Sequence, residues 1–155
     1  MRHTALLALG LSFCLVGCAD ETEDEAPVTK VIELVEHADN ETVTDTGAVG
    51  DSVGDILTFA NPVFDKANTT KVGTDQGYCV RIAVPESWEC EWTVFLADGQ
   101  INVSGPFFDA KESSLSVTGG TGAYKNASGV MDLGFRQTPP PKIEYDFTYN
   151  LILEE

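Results

Sequence analysis

Positive charge is scarce in this sequence. Its 155 residues include 9 lysines and arginines against 25 aspartates and glutamates, so the formal net charge is −16. This imbalance argues against nucleic acid and anionic lipid headgroups as partners. After His3, His37 is the only histidine, and Asp45, Asp51 and Asp55 do not have the spacing of a calcium loop. We therefore expect no metal site, no cofactor and no histidine-based catalytic triad.

Helical periodicity is also missing. From Lys30 onward the apolar residues recur at every second position, which is the pattern of half-buried strands. The clearest run is 143–153, where aromatic and aliphatic residues alternate with polar ones. The pattern predicts about eight short antiparallel strands, which either stack as a sandwich or close as a barrel. A closed barrel of this size is filled by its own side chains or holds one small ligand.

The apolar run at the N-terminus, residues 5–16, is too short to cross a bilayer comfortably and is typical of a secretory leader. It ends in Leu15-Val16-Gly17-Cys18, which resembles the bacterial lipobox. That resemblance implies a lipoprotein signal peptide over residues 1–17, cleavage before Cys18 and acylation of Cys18. An ordinary signal peptide is the alternative.

The lipobox reading divides the chain into three parts. Residues 18–29 are acidic and reach a proline, which predicts a flexible tether, and residues 30–155 form the folded domain. We expect a protein anchored by lipid in the bacterial cell envelope, on the periplasmic or the outer surface.

Two cysteines remain once Cys14 and Cys18 are assigned to the leader and the lipid anchor. Cys79 and Cys90 flank a predicted hairpin turn near Pro85. A hairpin would bring them opposite each other, within reach of a disulfide bond. Two separate buried thiols are the alternative.

The glycine-rich stretch at 119–122 raises the question of a phosphate-binding loop. Its sequence, G-G-T-G-A-Y-K, fits neither G-x-x-x-x-G-K-[ST] nor G-x-G-x-x-G, and no helical pattern follows it. We interpret it as a tight connection between strands, where glycine permits close approach of the backbones.

Four stretches, in order, carry a family resemblance. They are G-D-I-L-T-F-A-N (54–61), G-T-D-Q-G-Y-C (73–79), G-Q-I-N-V-S-G-P-F (99–107) and T-G-G-T-G-A-Y-K-N-A-S-G (118–129). Together they resemble the allene oxide cyclases and dirigent proteins over roughly residues 31–153. The resemblance implies an all-β, eight-stranded antiparallel barrel with an apolar cavity, and it implies a homotrimer.

The same resemblance implies site residues. A glutamate of the first strand assists epoxide opening in the cyclases, and Glu33 matches it best, with Glu36 as the alternative register. Asn61 matches an asparagine that holds an ordered water. The resemblance also implies that Cys79, Trp88 and Phe107 line the cavity. Leu57 and Phe59 join them as candidate ligand-binding residues, because they share the face of Asn61.

Four functions remain open from the sequence. The barrel holds a small hydrophobic molecule, or it also cyclises or isomerises that molecule with Glu33 steering charge. The alternatives are a non-catalytic structural or interaction barrel and a dirigent-like stereochemical guide.

Overall fold

A computed structural model describes residues 27–153 of the chain. The predicted signal peptide, Cys18 and nearly all of the acidic tether lie outside the described residues. Within the described range, no helix is long and apolar enough to cross a membrane. The strands are β1 (Val28–His37), β2 (Glu41–Thr44), β3 (Ile56–Asp65), β4 (Lys71–Ala83), β5 (Ser87–Leu96), β6 (Gly99–Phe108), β7 (Ser113–Gly122), β8 (Ser128–Phe135) and β9 (Glu144–Leu153).

Eight of these strands close into an antiparallel barrel. The hydrogen-bonded order is β1-β9-β8-β7-β6-β5-β4-β3, and β1 pairs back onto β3 to complete the circle. The closing seam is short, from Leu34 opposite Asp65 to Glu36 opposite Val63. The predicted all-β, eight-stranded barrel is confirmed, and the sandwich alternative is excluded.

The polar connection after β1 contains one short strand that the sequence pattern did not predict. In β2, residues 41–44 pair with the first half of β3, while the second half of β3 pairs with β1. The rest of the connection is ordered by Asp55, whose carboxylate accepts hydrogen bonds from the backbone amides of Thr46 and Ser52. These backbone donors lower the pKa of Asp55.

One predicted boundary differs from the structure. Val28 and Thr29 were assigned to the tether, but they pair with Leu153 and Ile152 and so belong to β1. Pro62 lies inside β3, and the pairing with β4 shifts just after it, between Val63 and Phe64.

The barrel has two distinct ends. β1, β4, β6 and β8 finish at one end, which also carries β2; we call it the β2 end. The glycine stretch forms the last residues of β7 and lies at the other end, where Gly120 faces the carbonyl oxygens of Gln100 and Tyr124. A Cβ on Gly120 would come within 2.4 Å of the first and 2.5 Å of the second. The glycine stretch therefore has a structural role, as expected, and it lies far from the pocket described next.

Candidate functional site

The barrel interior is hollow near the β2 end. A cavity of about 110 Å³ opens there between the first strands and the last one. For scale, an apolar protein cavity of about 150 Å³ accepts a benzene molecule, so this smaller cavity encloses only part of a ring system and a larger ligand would extend out through its mouth. The side chains that line it are Glu36, Glu41, Leu57, Phe59, Cys79, Cys90, Trp92, Phe107, Leu133, Tyr145 and Phe147.

Five aromatic rings form a large part of the wall. The Trp92 ring contacts Phe59 edge-on and Phe147 at a tilt, each with a centroid separation of 5.9 Å. Phe107 and Tyr145 pack edge to face at 5.8 Å. The rings come from β3, β5, β6 and β9. Side chains of a strand alternate between the inner and outer face, so the rings that face the cavity lie at every second position. Such a wall favours a flat, largely apolar molecule.

One carboxyl group interrupts this apolar wall. Glu36, near the end of β1, is only 4% exposed. Its Oε1 accepts a hydrogen bond of 2.7 Å from Nδ2 of Asn61 on β3. The Asn61 side-chain oxygen in turn accepts the backbone amide of Asn40 at 2.8 Å, which fixes the orientation of the amide. The connection between β1 and β2 therefore helps to position Glu36.

A second buried carboxyl group lies beside the first. Asp75 on β4 is fully buried, and its Oδ1 accepts the backbone amide of Asn61 at 3.3 Å. Burial, followed by the negative charge of Asp75, raises the pKa of Glu36 well above its ordinary range. Burial likewise raises the pKa of Asp75 to about 7. Because like charges this close do not both ionise readily, the pair shares a proton near neutral pH.

Unpaired polar atoms surround this carboxyl pair. Among the described residues, Asp75 Oδ2, Trp92 Nε1 and the Tyr149 hydroxyl are buried without a hydrogen-bond partner. A proton on Glu36 would supply a donor to Asp75, which accounts for one of the three. Burial raises the pKa of Tyr149 above its ordinary value, so its hydroxyl stays protonated and remains a donor. The pocket therefore combines an apolar wall with a small group of polar atoms deep in the barrel.

The structure corrects the first choice of glutamate. Glu33 lies on the outer face of β1, opposite Thr148, and forms an ion pair with Lys66 at 2.6 Å. Glu33 and Glu36 are three residues apart in a strand, so they face opposite sides of the sheet. The prediction that Glu33 faces the cavity is wrong, and the alternative register places Glu36 there.

The placement of Trp88 is also different from that expected. It lies two residue pairs nearer the rim than the cysteines and does not line the cavity. The Arg81 guanidinium stacks on the Trp88 ring, 4.0 Å from its centroid. The indole Nε1 of Trp88 donates a hydrogen bond to Asp109 at 3.1 Å. Arg81 also pairs with Asp51. Trp88 is thus part of a charged cluster at the rim.

The remaining predicted residues come together. Leu57, Phe59 and Phe107 line the cavity, and Asn61 lies directly behind it. Cys79 also lines it, but it is joined to Cys90 by a disulfide bond between directly opposed residues of β4 and β5. The wall therefore presents a disulfide and no free thiol at this position.

Sequence reasoning missed several residues of the site. Asp75, Trp92 and Tyr149 were not selected, although Tyr149 lies in the most regular alternating run of the chain. Asp75 has the same parity as Cys79, four residues later on the same strand. That spacing was the available signal, because residues at i and i+4 of a strand face the same side.

Among residues 27–153, no group of three or more histidine, cysteine, aspartate or glutamate side chains is arranged to hold a metal ion. The fold and the pocket define a class: closed antiparallel barrels with a small, mostly apolar interior site. Residues 33–147 match the model of the allene oxide cyclase barrel-like domain. The chain belongs to this family.

Solved structures with this fold include proteins of several activities. A pyocyanin demethylase is 26% identical, with a TM-score of 0.64, over 80% of this chain and 99% of that chain. The pterocarpan synthase dirigent protein PsPTS1 is 13% identical, with a TM-score of 0.69, over 83% and 97%. AbnU, an exo-specific intermolecular Diels-Alderase, is 17% identical, with a TM-score of 0.63, over 82% and 98%.

Proposed function

We propose that this protein binds a small, flat, largely apolar molecule in its barrel and isomerises or cyclises it, with Glu36 handling the proton. The observation that carries the proposal is the position of Glu36: a buried carboxyl group with a raised pKa in an otherwise aromatic pocket. A carboxyl group with a raised pKa holds its proton more readily than an ordinary glutamate and can give up or recover a proton.

The second part of the proposed site is the orientation of that carboxyl group. Asn61 holds one oxygen of Glu36 at 2.7 Å, and the backbone amide of Asn40 holds Asn61. Asp75 lies behind the pair as a second proton acceptor. A fixed carboxyl group with an adjacent proton store suits a reaction in which a proton leaves one ligand atom and returns to another.

The test compares two glutamate-to-glutamine variants on the same strand, β1. The probe is 5-nitrobenzisoxazole, a flat bicyclic molecule whose ring opens when a base removes its C3 proton and the N–O bond breaks. The nitrophenolate product is followed by its absorbance. We expect Glu36→Gln to lower kcat/KM by about a hundredfold or more, the usual contribution of general acid–base catalysis.

Glu33→Gln is the matched control, because it removes the same charge from the outer face of β1. We expect it to leave both binding and turnover unchanged. Equal activity of the two variants would contradict the assigned role of Glu36. Failure of the wild-type chain to bind the probe would contradict the small-molecule role altogether.

A dirigent-like role is the second candidate, and one observation favours it. Five aromatic rings line the cavity wall, and these alone could hold a reactive partner in one orientation without any proton transfer. In that case the Glu36→Gln variant would bind ligand normally and would still guide the product. Replacing an aromatic ring of the wall with a smaller side chain would enlarge the cavity and remove the stereochemical preference.

We propose in addition that Cys18 carries a lipid anchor and that the protein works in the bacterial cell envelope as a homotrimer. The sequence before Cys18 and the family resemblance support these proposals. Mass spectrometry of the purified full chain tests the first, with acyl mass on a peptide starting at Cys18 as the expected result. Sedimentation of the same sample in detergent tests the trimer.

A further inference from the structure

The charges around the pocket are all of one sign. Among the described residues that line the cavity there are two glutamates, Glu36 and Glu41, and no lysine, arginine or histidine. Asp75 adds a third carboxyl group directly behind Glu36. The charged groups that act on the Tyr145 hydroxyl at the pocket wall are Glu41, Glu36 and Asp109, all acidic.

The basic side chains at the β2 end pair with acidic groups outside the cavity lining, Arg136 and Lys142 with Glu144. Arg81 is held at the rim between Asp51 and Asp109. His37 lies on the other face of β1 from Glu36, stacked on Phe64 and paired with Glu144. Neither compensates a negative charge on the buried carboxyl pair.

The aromatic rings around the cavity also favour a cationic ligand over an anionic one. Five aromatic side chains line the cavity, and the negative face of an aromatic ring attracts cations, more strongly when water is excluded. A ligand carboxylate would instead be placed against two buried carboxyl groups with no partner of opposite charge, which is costly in a site shielded from water.

We infer that the ligand of this pocket is a cationic or readily protonated heteroaromatic molecule, with the carboxyl pair of Glu36 and Asp75 as its counter-charge. This inference rests on the proposed small-molecule function and names the ligand class for the same site.

The inference includes a dependence on pH. A bound cation favours the ionised form of the pair, so binding releases a proton and affinity rises as the pH increases. The groups that face the pair are Glu41, Tyr145 and Tyr149. The two tyrosines stay neutral, because burial raises their pKa values, and burial also raises the pKa of Glu41 at the mouth.

The experiment uses three probes of nearly the same shape on the unmodified chain. They are 1-methylquinolinium (a cation), 1-methylnaphthalene (neutral) and 1-naphthoate (an anion), titrated by calorimetry. Because the net charge of −16 attracts any cation to the surface, the titrations are made in about 1 M salt, where screening acts beyond about 3 Å.

We expect the cation to bind about tenfold or more tightly than the neutral probe, the effect of a one-unit change in the pKa of the pair. The anion should bind more weakly than either. Between about pH 6 and about pH 8, the affinity for the cation should rise while that for the neutral probe stays constant. Asp75→Asn should remove the cation preference, and Asp132→Asn, an exposed acid on β8, should retain it.

The outcomes separate the two proposals. Binding of the neutral probe with equal or weaker binding of the cation would overturn the inference and leave the small-molecule role standing. A cation preference that persists in Asp75→Asn would also overturn it. If none of the three probes binds, the proposed function itself fails. Neutral-probe binding by Asp75→Asn verifies that this variant is folded.

Discussion

Replacing Asp75 with asparagine should change how stability depends on pH. The pKa of this buried carboxyl group is raised in the folded chain, so the folded state holds a proton that the unfolded state has released. Such a group contributes stability that is present below the unfolded pKa of about 3.9 and is lost as the pH rises through the folded value. The wild-type barrel should therefore become less stable between mildly acidic and mildly alkaline pH.

The magnitude follows from the shift. From about pH 5 to the folded pKa of about 7 is an interval of about two units, and each unit corresponds to about 1.4 kcal/mol. We expect the wild-type chain to lose about 3 kcal/mol of unfolding free energy between about pH 5 and about pH 8. Asp75→Asn should lose less, because the asparagine does not titrate and only Glu36, whose pKa burial still raises, is left to contribute.

The assay is urea unfolding followed by tryptophan fluorescence at a series of pH values. The opposite contribution of Asp55, Asp65 and Glu144, whose pKa values are lowered, is lost only as the pH falls toward their folded values, below this window. Asp132→Asn serves as the control on the outer surface and should follow the wild-type curve. Parallel curves for wild type and Asp75→Asn over this interval would refute the assignment of a shared proton to the buried pair.

Three further predictions concern the barrel wall and its turns. Cys79→Ser combined with Cys90→Ser should lower the unfolding free energy by about 2–4 kcal/mol, the usual worth of a disulfide; a melting temperature that dithiothreitol does not change in the wild type would contradict this. Leu133→Ala, in the cavity wall, should lower the unfolding free energy by about 2–5 kcal/mol and let the cavity accept larger rings. Urea unfolding measures the first effect and titration with a tricyclic probe the second. Unchanged size selectivity would contradict the assignment of Leu133 to the cavity wall. Gly120→Ala should destabilise the chain, because the new Cβ meets two carbonyl oxygens. Below the melting temperature of the variant, its affinity for 1-methylnaphthalene in calorimetry should be unchanged. Weaker binding would mean that the two ends of the barrel are coupled.

Strand periodicity was sufficient to predict an all-β fold of about eight antiparallel strands, and the family resemblance implied that they close into a barrel. In β9, the buried Phe147, Tyr149 and Leu151 alternate with more exposed residues as the pattern required, and the Asp98-Gly99 dipeptide lies at the turn between β5 and β6. Such features depend on local geometry, which each stretch carries in its own residues. The short strand β2 was missed because its four residues are exposed and polar or β-branched, so they leave no alternating signal.

The site was harder to predict, and β1 shows why. Its sequence V-I-E-L-V-E places aliphatic residues on both faces, and both Leu34 and Val35 are buried. Periodicity alone therefore could not choose between Glu33 and Glu36. The pairing of β1 with β9 and β3 made that choice by turning Glu36 toward Tyr145 and Val63.

The sequence by itself determined an all-β domain, its acidic charge, a pair of cysteines that a hairpin brings face to face, and a glycine turn with no phosphate chemistry. These follow from side-chain alternation and turn residues, which act over a few positions. Only the closed barrel decided that Glu36, Asn61 and Asp75 meet inside an aromatic pocket while Glu33 faces outward. Residues far apart in the chain become neighbours through strand register, and register is a property of the whole sheet.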